Sequence, residues 1–240
     1  MCTVTFAADN QRTFITSNRD EHVLRPAIPP KIYEINGKQL LFPKDPRAGG
    51  TWFATDEFSN VAVLLNGGFE KHVPVNPYRR SRGLVVLDLI SSDIPVHCWK
   101  AIDLEQIEPF TIILFVSHRL YELVWDGLQK HLLPLDVAQK YIWSSSTLYS
   151  KNVRQQRQQL FNDHVNDGSK ISAKRILDFH KNADLHDHEN GLVIDRCGKL
   201  KTLTITQAIV KSEATTVMHD DLINKTQTVQ QIQHLQKKLH

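Results

Sequence analysis

The sequence is restricted most by two short segments, residues 60–66 and 111–116, in which almost every side chain is apolar. A run of this length between turn signals is typical of a strand that is buried on both faces. Each face of such a strand has to pack against another element of the fold. The two segments therefore predict inner sheets of a layered protein rather than an open sheet with one face in water.

Helical periodicity supplies the covering layers. Helices are predicted at residues 84–91, 95–102 and 153–165, and after Ser172, which is suited to an N-cap. Hairpins are predicted at residues 31–42, across Asn36-Gly37, and at residues 191–210, across Cys197-Gly198. The glutamine-rich segment 227–239 is predicted to be a peripheral helix or a frayed tail. This order favours a sheet sandwich covered by helices on both outer faces, in one domain spanning residues 1–240.

Charge and cysteine content argue against several classes of protein. The net charge of +3 is nearly balanced over 240 residues, which gives no case for nucleic acid as a principal partner. Three cysteines without metal-like spacing suit a reducing compartment rather than a disulfide framework. The N-terminus lacks the pattern of a signal peptide, and no apolar run approaches the ~20 residues needed to span a bilayer. We therefore predict a cytoplasmic protein without a membrane span.

The N-terminus carries a possible nucleophile. Cys2 follows the initiator Met directly, and its small side chain favours removal of Met1, which leaves a free α-amine on the same residue as the thiol. The amine, with an intrinsic pKa of about 8, can accept a proton while the sulfur attacks. Standing alone, a cysteine at this position is more often without a special role. Its interpretation depends on which side chains lie around it.

A predicted hairpin surrounds Cys2 with charged groups. Residues 3–7 and 13–16 alternate as half-buried strands do, and Asp9-Asn10 reads as a two-residue turn. Paired positions then sum to roughly 19, so that Cys2 lies opposite about Ser17. Residues 18–21, Asn-Arg-Asp-Glu, emerge at the same end of the sheet. A solvated turn is the alternative for this charged run.

Two further motifs are suited to binding a substrate. Asn66-Gly67-Gly68 ends the apolar strand with a side-chain amide and flexible glycines, as an oxyanion hole requires, although Asn-Gly is also a common turn dipeptide. Arg79, Arg80 and Arg82 form the densest basic patch, which can hold a carboxylate or can pair with nearby acids. No metal site is predicted, because His186 and His188 have no third ligand at defined spacing.

Six ordered motifs give the chain a specific resemblance to NRDE proteins, the Transport and Golgi Organization 2 family. They are Met1-Cys2, Asn18-Arg19-Asp20-Glu21, Gly49-Gly50-Thr51-Trp52, Leu65-Asn66-Gly67-Gly68, Ser81-Arg82-Gly83 and Ser144-Ser145-Ser146-Thr147-Leu148. The family resembles N-terminal nucleophile (Ntn) hydrolases of the choloylglycine hydrolase and penicillin V acylase type. The resemblance implies an α+β fold, a four-layer αββα sandwich of two mainly antiparallel sheets, with a catalytic N-terminal cysteine.

The resemblance also assigns roles to residues of this chain. Asn66 looks like the oxyanion-hole asparagine, and Ser145 stands where the similar hydrolases carry an active-site asparagine. The predicted catalytic residues are Cys2, Arg19, Asp20, Asn66 and Ser145. The predicted ligand-binding residues are Asn18, Glu21, Trp52 and Arg82. Arg19 is expected to lower the thiol pKa and Asp20 to orient the α-amine.

Three functions remain open from the sequence. The first is an N-terminal-cysteine amidohydrolase that needs no cofactor. The second is a carrier of haem or a lipid-like anion in the same pocket, since members of the family are also linked to haem and lipid handling. Its possible axial ligands are Cys2, His180, His186 and His188. The third is a structural or trafficking protein in which the hydrolase-like site is vestigial. The expected partner in the first two is a small molecule, and the sequence does not define an oligomeric state.

Overall fold

The computed structural model describes residues 3–75 and 77–235, which form two antiparallel sheets and four α-helices. The strands are β1 (Thr3–Ala8), β2 (Thr13–His22), β3 (Ile28–Ile35), β4 (Lys38–Lys44), β5 (Phe53–Asp56), β6 (Val61–Asn66), β7 (Phe110–Val116), β8 (Arg119–Trp125), β9 (Lys130–Leu135), β10 (Tyr141–Ser144), β11 (Asp195–Arg196), β12 (Leu200–Val210), β13 (Ala214–Asp221) and β14 (Thr226–Gln233). The helices are α1 (Arg82–Ser91), α2 (Pro95–Ala101), α3 (Lys151–Val165) and α4 (Ala173–Asn182).

Each sheet has seven strands. Sheet A has the order β10-β1-β2-β12-β13-β14, with the short β11 paired to β12. Sheet B runs β3-β4-β5-β6-β7-β8-β9 in chain order, as a continuous meander. The apolar segments 60–66 and 111–116 become β6 and β7, which pair with each other in the middle of sheet B. Both strands are buried along nearly their whole length, as their composition predicts.

The helices cover the outer faces of the two sheets and confirm the αββα sandwich. α1 packs on β4, β5 and β6 of sheet B, while α3 and α4 pack on β10, β2 and β12 of sheet A. Between the sheets, Val4, Phe6 and Ile15 of sheet A join the apolar core of sheet B. A second cluster lies between sheet A and its helices, where Phe14 meets Phe161. In the described part of the chain, no helix is long and apolar enough to cross a membrane.

The N-terminal hairpin differs from its prediction in its loop. Asp9 to Arg12 form a four-residue loop, and Thr3 pairs with Asn18, so that paired positions sum to 21. The predicted two-residue turn and sum of 19 are therefore wrong. Asp9 stabilises the longer loop, since its carboxylate accepts hydrogen bonds from the backbone N–H groups of Gln11 and Arg12 and pairs with the Arg12 guanidinium. A displacement of two residues leaves every side chain on its predicted face.

Of the C-terminal segment, Thr226–Gln233 form a strand and not a helix or frayed tail, and residues 236–239 of that prediction lie outside the described residues. β14 pairs with β13 over eight residue pairs, and its Ile232 is buried with Leu41 and Val217 between the sheets. The predicted strand at residues 191–195 is likewise shorter, because only Asp195–Arg196 pair with β12. The two Gly-containing hairpin turns are confirmed. Asn36 and Cys197 both have positive φ ahead of Gly37 and Gly198.

Candidate functional site

Alternation along β2 divides the Asn18-Arg19-Asp20-Glu21 tetrad between two environments. Asn18 and Asp20 face the helical layer, where their side chains contact α4, Tyr149 and Thr202. Arg19 and Glu21 face the opposite way and line a small cavity with Trp52 and Arg82. Because side chains alternate along a strand, four consecutive polar residues cannot all enter one pocket. The tetrad therefore contributes two pairs with different contacts.

Asn18 connects β2 to α4 and to the chain after it. Its Nδ2 donates to the carbonyl oxygens of His180 (3.2 Å) and Leu192 (2.6 Å), and its Oδ1 lies 2.6 Å from His180 Nδ1. Since Oδ1 accepts, Nδ1 carries the proton, and Nε2 accepts from the Thr5 hydroxyl at 2.7 Å. Burial, with the nearby Arg157 and His164, lowers the pKa of His180 to about 3, so the ring is neutral.

Asp20 lies in a buried hydrogen-bond cluster. Its Oδ2 accepts from the Tyr149 hydroxyl at 2.7 Å and its Oδ1 from the Thr202 hydroxyl at 2.6 Å. The guanidinium of Arg157 lies 3.6 Å from the centre of the Tyr149 ring, and that of Arg196 lies 5.3 Å from it. Two hydroxyl donors therefore fix the position of the Asp20 carboxyl group, and two guanidinium groups lie over the ring of one donor, Tyr149. Sequence reasoning did not identify Tyr149, Thr202 or Arg157.

We expect Tyr149→Phe to lower the free energy of unfolding by about 2 kcal/mol, because it removes a buried hydrogen bond to a charged group and leaves the ring in place. Urea unfolding followed by circular dichroism measures this. Tyr141→Phe is the matched control, since the Tyr141 hydroxyl donates to the Asp136 carbonyl at an exposed site. Equal losses in the two variants would show that Tyr149 has no special part in holding Asp20.

Arg19 is fixed against Trp52 on the other face of β2. Its side chain is 2% exposed, its Nη1 donates to the Arg25 carbonyl at 2.7 Å, and its Nη2 lies 3.7 Å from Asp45. The guanidinium carbon lies 4.6 Å from the centre of the Trp52 ring. Arg25 pairs with both Glu21 (3.2 Å) and Asp45 (2.7 Å). The result is a partly buried network of charges beside a cavity of about 80 Å³.

Two of the glycine motifs meet at this cavity. A Cβ atom on Gly50 would lie 2.4 Å from the backbone of Gly83, and the N–H of Thr51 donates to the Gly83 carbonyl at 3.1 Å. Only glycine allows this approach, which brings the start of α1 against the segment that carries Trp52. The Arg82 guanidinium is bound within the protein, where it pairs with Glu108 at 2.9 Å and donates to the Pro109 carbonyl.

Asn66 lies where this cavity adjoins a larger one of about 370 Å³. It is the described residue that lines both, and its side-chain amide makes no hydrogen bond with another described residue. The Ser145 hydroxyl donates to the Asn66 backbone carbonyl at 2.7 Å and also contacts the Thr147 hydroxyl. Ser145 thus joins the end of β6 to the end of β10.

Gly67 makes that junction possible. Its φ is +86°, and a Cβ atom there would lie 2.2 Å from the Ser146 hydroxyl oxygen. The Ser146 hydroxyl donates to the Gly68 carbonyl at 2.9 Å. The Asn66-Gly67-Gly68 and Ser144-Ser145-Ser146 motifs therefore contact each other directly in the structure.

The other proposed ligands are placed elsewhere. Both ring nitrogens of His180 are hydrogen-bonded inside the protein, while His186 and His188 are exposed. Arg79 and Arg80 pair with Asp103 and Asp88, the outcome that the sequence left open beside ligand binding. Among residues 3–75 and 77–235, no group of three His, Cys, Asp or Glu side chains is arranged to hold a metal ion. Cys2 lies outside the described residues, so its predicted role as nucleophile stays a prediction.

The whole chain has one family match and many structural relatives. The family model described as Transport and Golgi organisation 2 matches residues 1–235. A comparison with curated protein sequences gives no match.

Three of the solved structures that resemble the chain are of proteins named as hydrolases. A Caenorhabditis elegans N-acylethanolamine-hydrolyzing acid amidase ortholog is 11% identical, with a TM-score of 0.61 over 86% of this chain and 92% of that one. Two variants of the conjugated bile acid hydrolase from Clostridium perfringens, one with an arginine replaced by leucine and one with a cysteine replaced by alanine, are 9% identical. Each has a TM-score of 0.55 and covers 99% of this chain and 98% of its own. At such low identity, these likenesses establish the Ntn-hydrolase fold alone.

Proposed function

The chain belongs to the Transport and Golgi organisation 2 family, and from this premise we propose that it is an N-terminal-cysteine amidohydrolase acting on a non-peptide C–N amide bond. Two enzymes that share its fold are named as hydrolases, an N-acylethanolamine-hydrolyzing acid amidase and a conjugated bile acid hydrolase. In one variant of the latter, the second residue, a cysteine, is replaced by alanine. The present protein also has cysteine as its second residue.

One observation carries the proposal. Thr3, the first described residue, pairs with Ser144 of β10, and Ser144 lines the 370 Å³ cavity together with Asn66 and Ser145. The start of the chain is therefore anchored at the edge of a cavity of the size that binds small molecules. A nucleophile that precedes Thr3 and an amide donor at Asn66 are the two groups that acyl transfer needs first.

The proposed reaction uses the α-amine of Cys2 as its base. The thiol proton passes to this amine while the sulfur forms a bond to the amide carbonyl carbon. The Asn66 side-chain amide donates to the oxyanion, and Ser145 holds the Asn66 backbone through its carbonyl. The C–N bond then breaks as the proton passes to the leaving amine. Water cleaves the thioester, which releases a carboxylic acid and restores the thiol.

Arg19 and Asp20, which lie on opposite faces of β2, are proposed to support the reaction in different ways. Arg19, held on Trp52, is proposed to favour the thiolate through its positive charge. Asp20, held by Tyr149 and Thr202, is proposed to orient the α-amine. Both charges are fixed by buried contacts, so neither has to be reorganised when substrate binds.

Selective alkylation tests the proposal, because the chain contains its own reference thiols. Cys197 is exposed in the β11–β12 turn, whereas Cys98 is half-buried and burial raises the pKa of its thiol. We expect iodoacetamide to alkylate Cys2 at least about tenfold faster than Cys197 near neutral pH, since an activated thiol has a larger thiolate fraction. Peptide mapping by mass spectrometry at increasing times gives the three rates.

A second form of the protein provides the control. With one extra residue ahead of Cys2, the thiol is kept but Cys2 has no free α-amine, and this form should lose hydrolysis of N-acyl amides. Intact mass confirms the state of the N-terminus in each preparation. Alkylation of Cys2 at the rate of Cys197, in protein shown to lack Met1, would overturn the proposal.

Binding of haem or a lipid-like anion without catalysis is the second candidate. It is favoured by the lining of the same cavity, where Phe69 and Trp143 supply aromatic surface and Lys151 and Arg154 supply positive charge. Such a lining suits an amphipathic anion. Saturable ligand binding in protein that shows no hydrolysis separates this candidate from the first.

A further inference from the structure

Glu122 is a carboxylic acid of the larger cavity to which neither proposed function gives a role. It lies on β8, pairs with Ile113 of β7, and lines the cavity together with Trp143 of β10. Ile113 belongs to the core between the sheets, and Trp143 pairs with Val4 of the same core. Glu122 therefore extends into the gap between the sheets, away from the strand end that carries Asn66.

No described cation compensates the charge of Glu122. Burial raises the pKa of its carboxyl, a hydrogen bond with the Trp143 side chain opposes that shift, and no lysine or arginine contributes to it. The other charged residues of the cavity are exposed or are paired with one another. Arg154 lies 3.6 Å from Glu70, whose side chain is 77% exposed, and Lys151 is at the exposed first position of α3.

We propose that Glu122 is a specificity-determining residue that binds a positively charged group of the substrate, so that the preferred substrates are amides that carry an ammonium group. A half-buried carboxylate without a cation costs the free protein free energy, and a ligand cation beside it removes part of that cost. A neutral or anionic group at the same place does not reduce this cost. The assignment rests on the proposed hydrolase function only in calling the ligand a substrate.

The sheet gives the scale of such a substrate. Asn66 pairs with Phe110, and Glu122 pairs with Ile113. The two residues are thus two strands apart across the sheet and three residues apart along it, a Cα–Cα separation on the order of 14 Å. The odd offset places their side chains on opposite faces of sheet B, but both line the cavity, because Asn66 is the last residue of β6 and the cavity extends around this end of the sheet. The ammonium group is therefore expected at the far end of the substrate's alkyl chain, and not on the carbon atom next to the amide.

Three chloroacetamide probes test the inference. They carry alkyl chains of equal length, long enough to span roughly this distance, that end in an ammonium, a methyl or a carboxylate group. We expect the ammonium probe to alkylate Cys2 about tenfold faster than the methyl probe, with the carboxylate probe slowest, as one partly buried ion pair allows. In Glu122→Gln, which keeps the shape of the side chain, the rates should agree within about twofold. Glu70→Gln, the matched control, should keep the preference.

The unreactive acetamide analogues of the three probes give a second readout, by calorimetric binding, that does not depend on the thiol. Preferred binding of the ammonium analogue, lost in Glu122→Gln, supports the cation site even if Cys2 is not alkylated, and that combination overturns the hydrolase proposal alone. Alkylation of Cys2 without preference among the probes overturns the cation site alone. A preference that persists in Glu122→Gln overturns it equally.

Discussion

Replacing Arg157 with alanine is expected to lower the free energy of unfolding by about 4 kcal/mol, because it removes a buried hub of hydrogen bonds and leaves a cavity. The side chain extends from α3 and the residue is 1% exposed. Its guanidinium donates to the Thr3 hydroxyl at 2.6 Å, to the Asn190 carbonyl at 3.1 Å and to the Gly191 carbonyl. It also stacks on Tyr149.

These contacts explain the size of the expected loss. One side chain joins α3 to the start of β1 and to the segment before β11, and alanine leaves all of the acceptors without their donor. Arg157→Lys keeps the charge but has a single nitrogen and no planar face, so it should restore less than half of the loss.

Urea unfolding measures both variants, with Arg154→Ala as the matched control. Arg154 lies one helical turn earlier, with its guanidinium near the exposed Glu70, and its replacement should cost less than about 1 kcal/mol. If Arg157→Ala costs no more than Arg154→Ala, Arg157 does not hold the start of β1.

Local signals in the sequence predicted most of the elements of this fold. Asn36-Gly37 and Cys197-Gly198 gave the correct hairpins, because two successive residues with positive φ, found in both turns, have few suitable sequences. Ser172 gave the start of α4, and its hydroxyl accepts from the N–H of Arg175. Features of this kind depend only on residues within one turn of each other.

The errors arose where a local pattern had two solutions. In β14 and just after it, the apolar residues Val229, Ile232 and Leu235 have the spacing of a helix, yet of these three only Ile232 is buried. The strand forms because β13 offers a full ladder of partners, and this cannot be seen in the segment itself. Asp9 similarly suits either a two-residue turn or the longer loop that its carboxylate stabilises.

The candidate site was predictable in its motifs but not in its supports. The tetrad, Asn66 and Ser145 were found from their order along the chain. Tyr149 and Thr202, which hold Asp20, are 129 and 182 residues from it in the sequence. Neither lies at a spacing that a helix or strand pattern relates to Asp20. Contacts of this kind are set by how the layers pack, which is why sequence reasoning missed them.

Acidification from about pH 7.5 to pH 5 is expected to destabilise the protein by about 4 kcal/mol through two buried histidines. Burial, with the nearby Arg157 and His164, lowers the pKa of His180 to about 3. Burial also lowers the pKa of His219 to about 4, against the opposing charges of Asp221 and Asp220. The two rings lie on different faces of sheet A, where they bond to Thr5 and to Thr206.

The sign follows from proton uptake by the unfolded chain. An unfolded histidine has a pKa of about 6.5 and is protonated at pH 5, while both folded rings stay largely neutral. Each ring therefore contributes stability that is present above pH 6.5 and is lost as the pH falls toward its folded value. At pH 5 each has lost about 2 kcal/mol. Burial raises the pKa values of Asp56 and Glu122, which gives a contribution of opposite sign, because these two carboxyl groups take up protons more readily in the folded protein.

Single replacements isolate the two contributions. His180→Gln and His219→Gln are each expected to be less stable than the unmodified protein near neutral pH, because each disturbs a buried hydrogen bond. Each should also lose about 2 kcal/mol less than the unmodified protein between about pH 7.5 and pH 5. Urea unfolding at the two pH values gives these differences, and His186→Gln, at an exposed position, should leave the loss unchanged. A loss on acidification that stays the same in both buried-site variants would mean that these rings take up protons in the folded protein as readily as in the unfolded one.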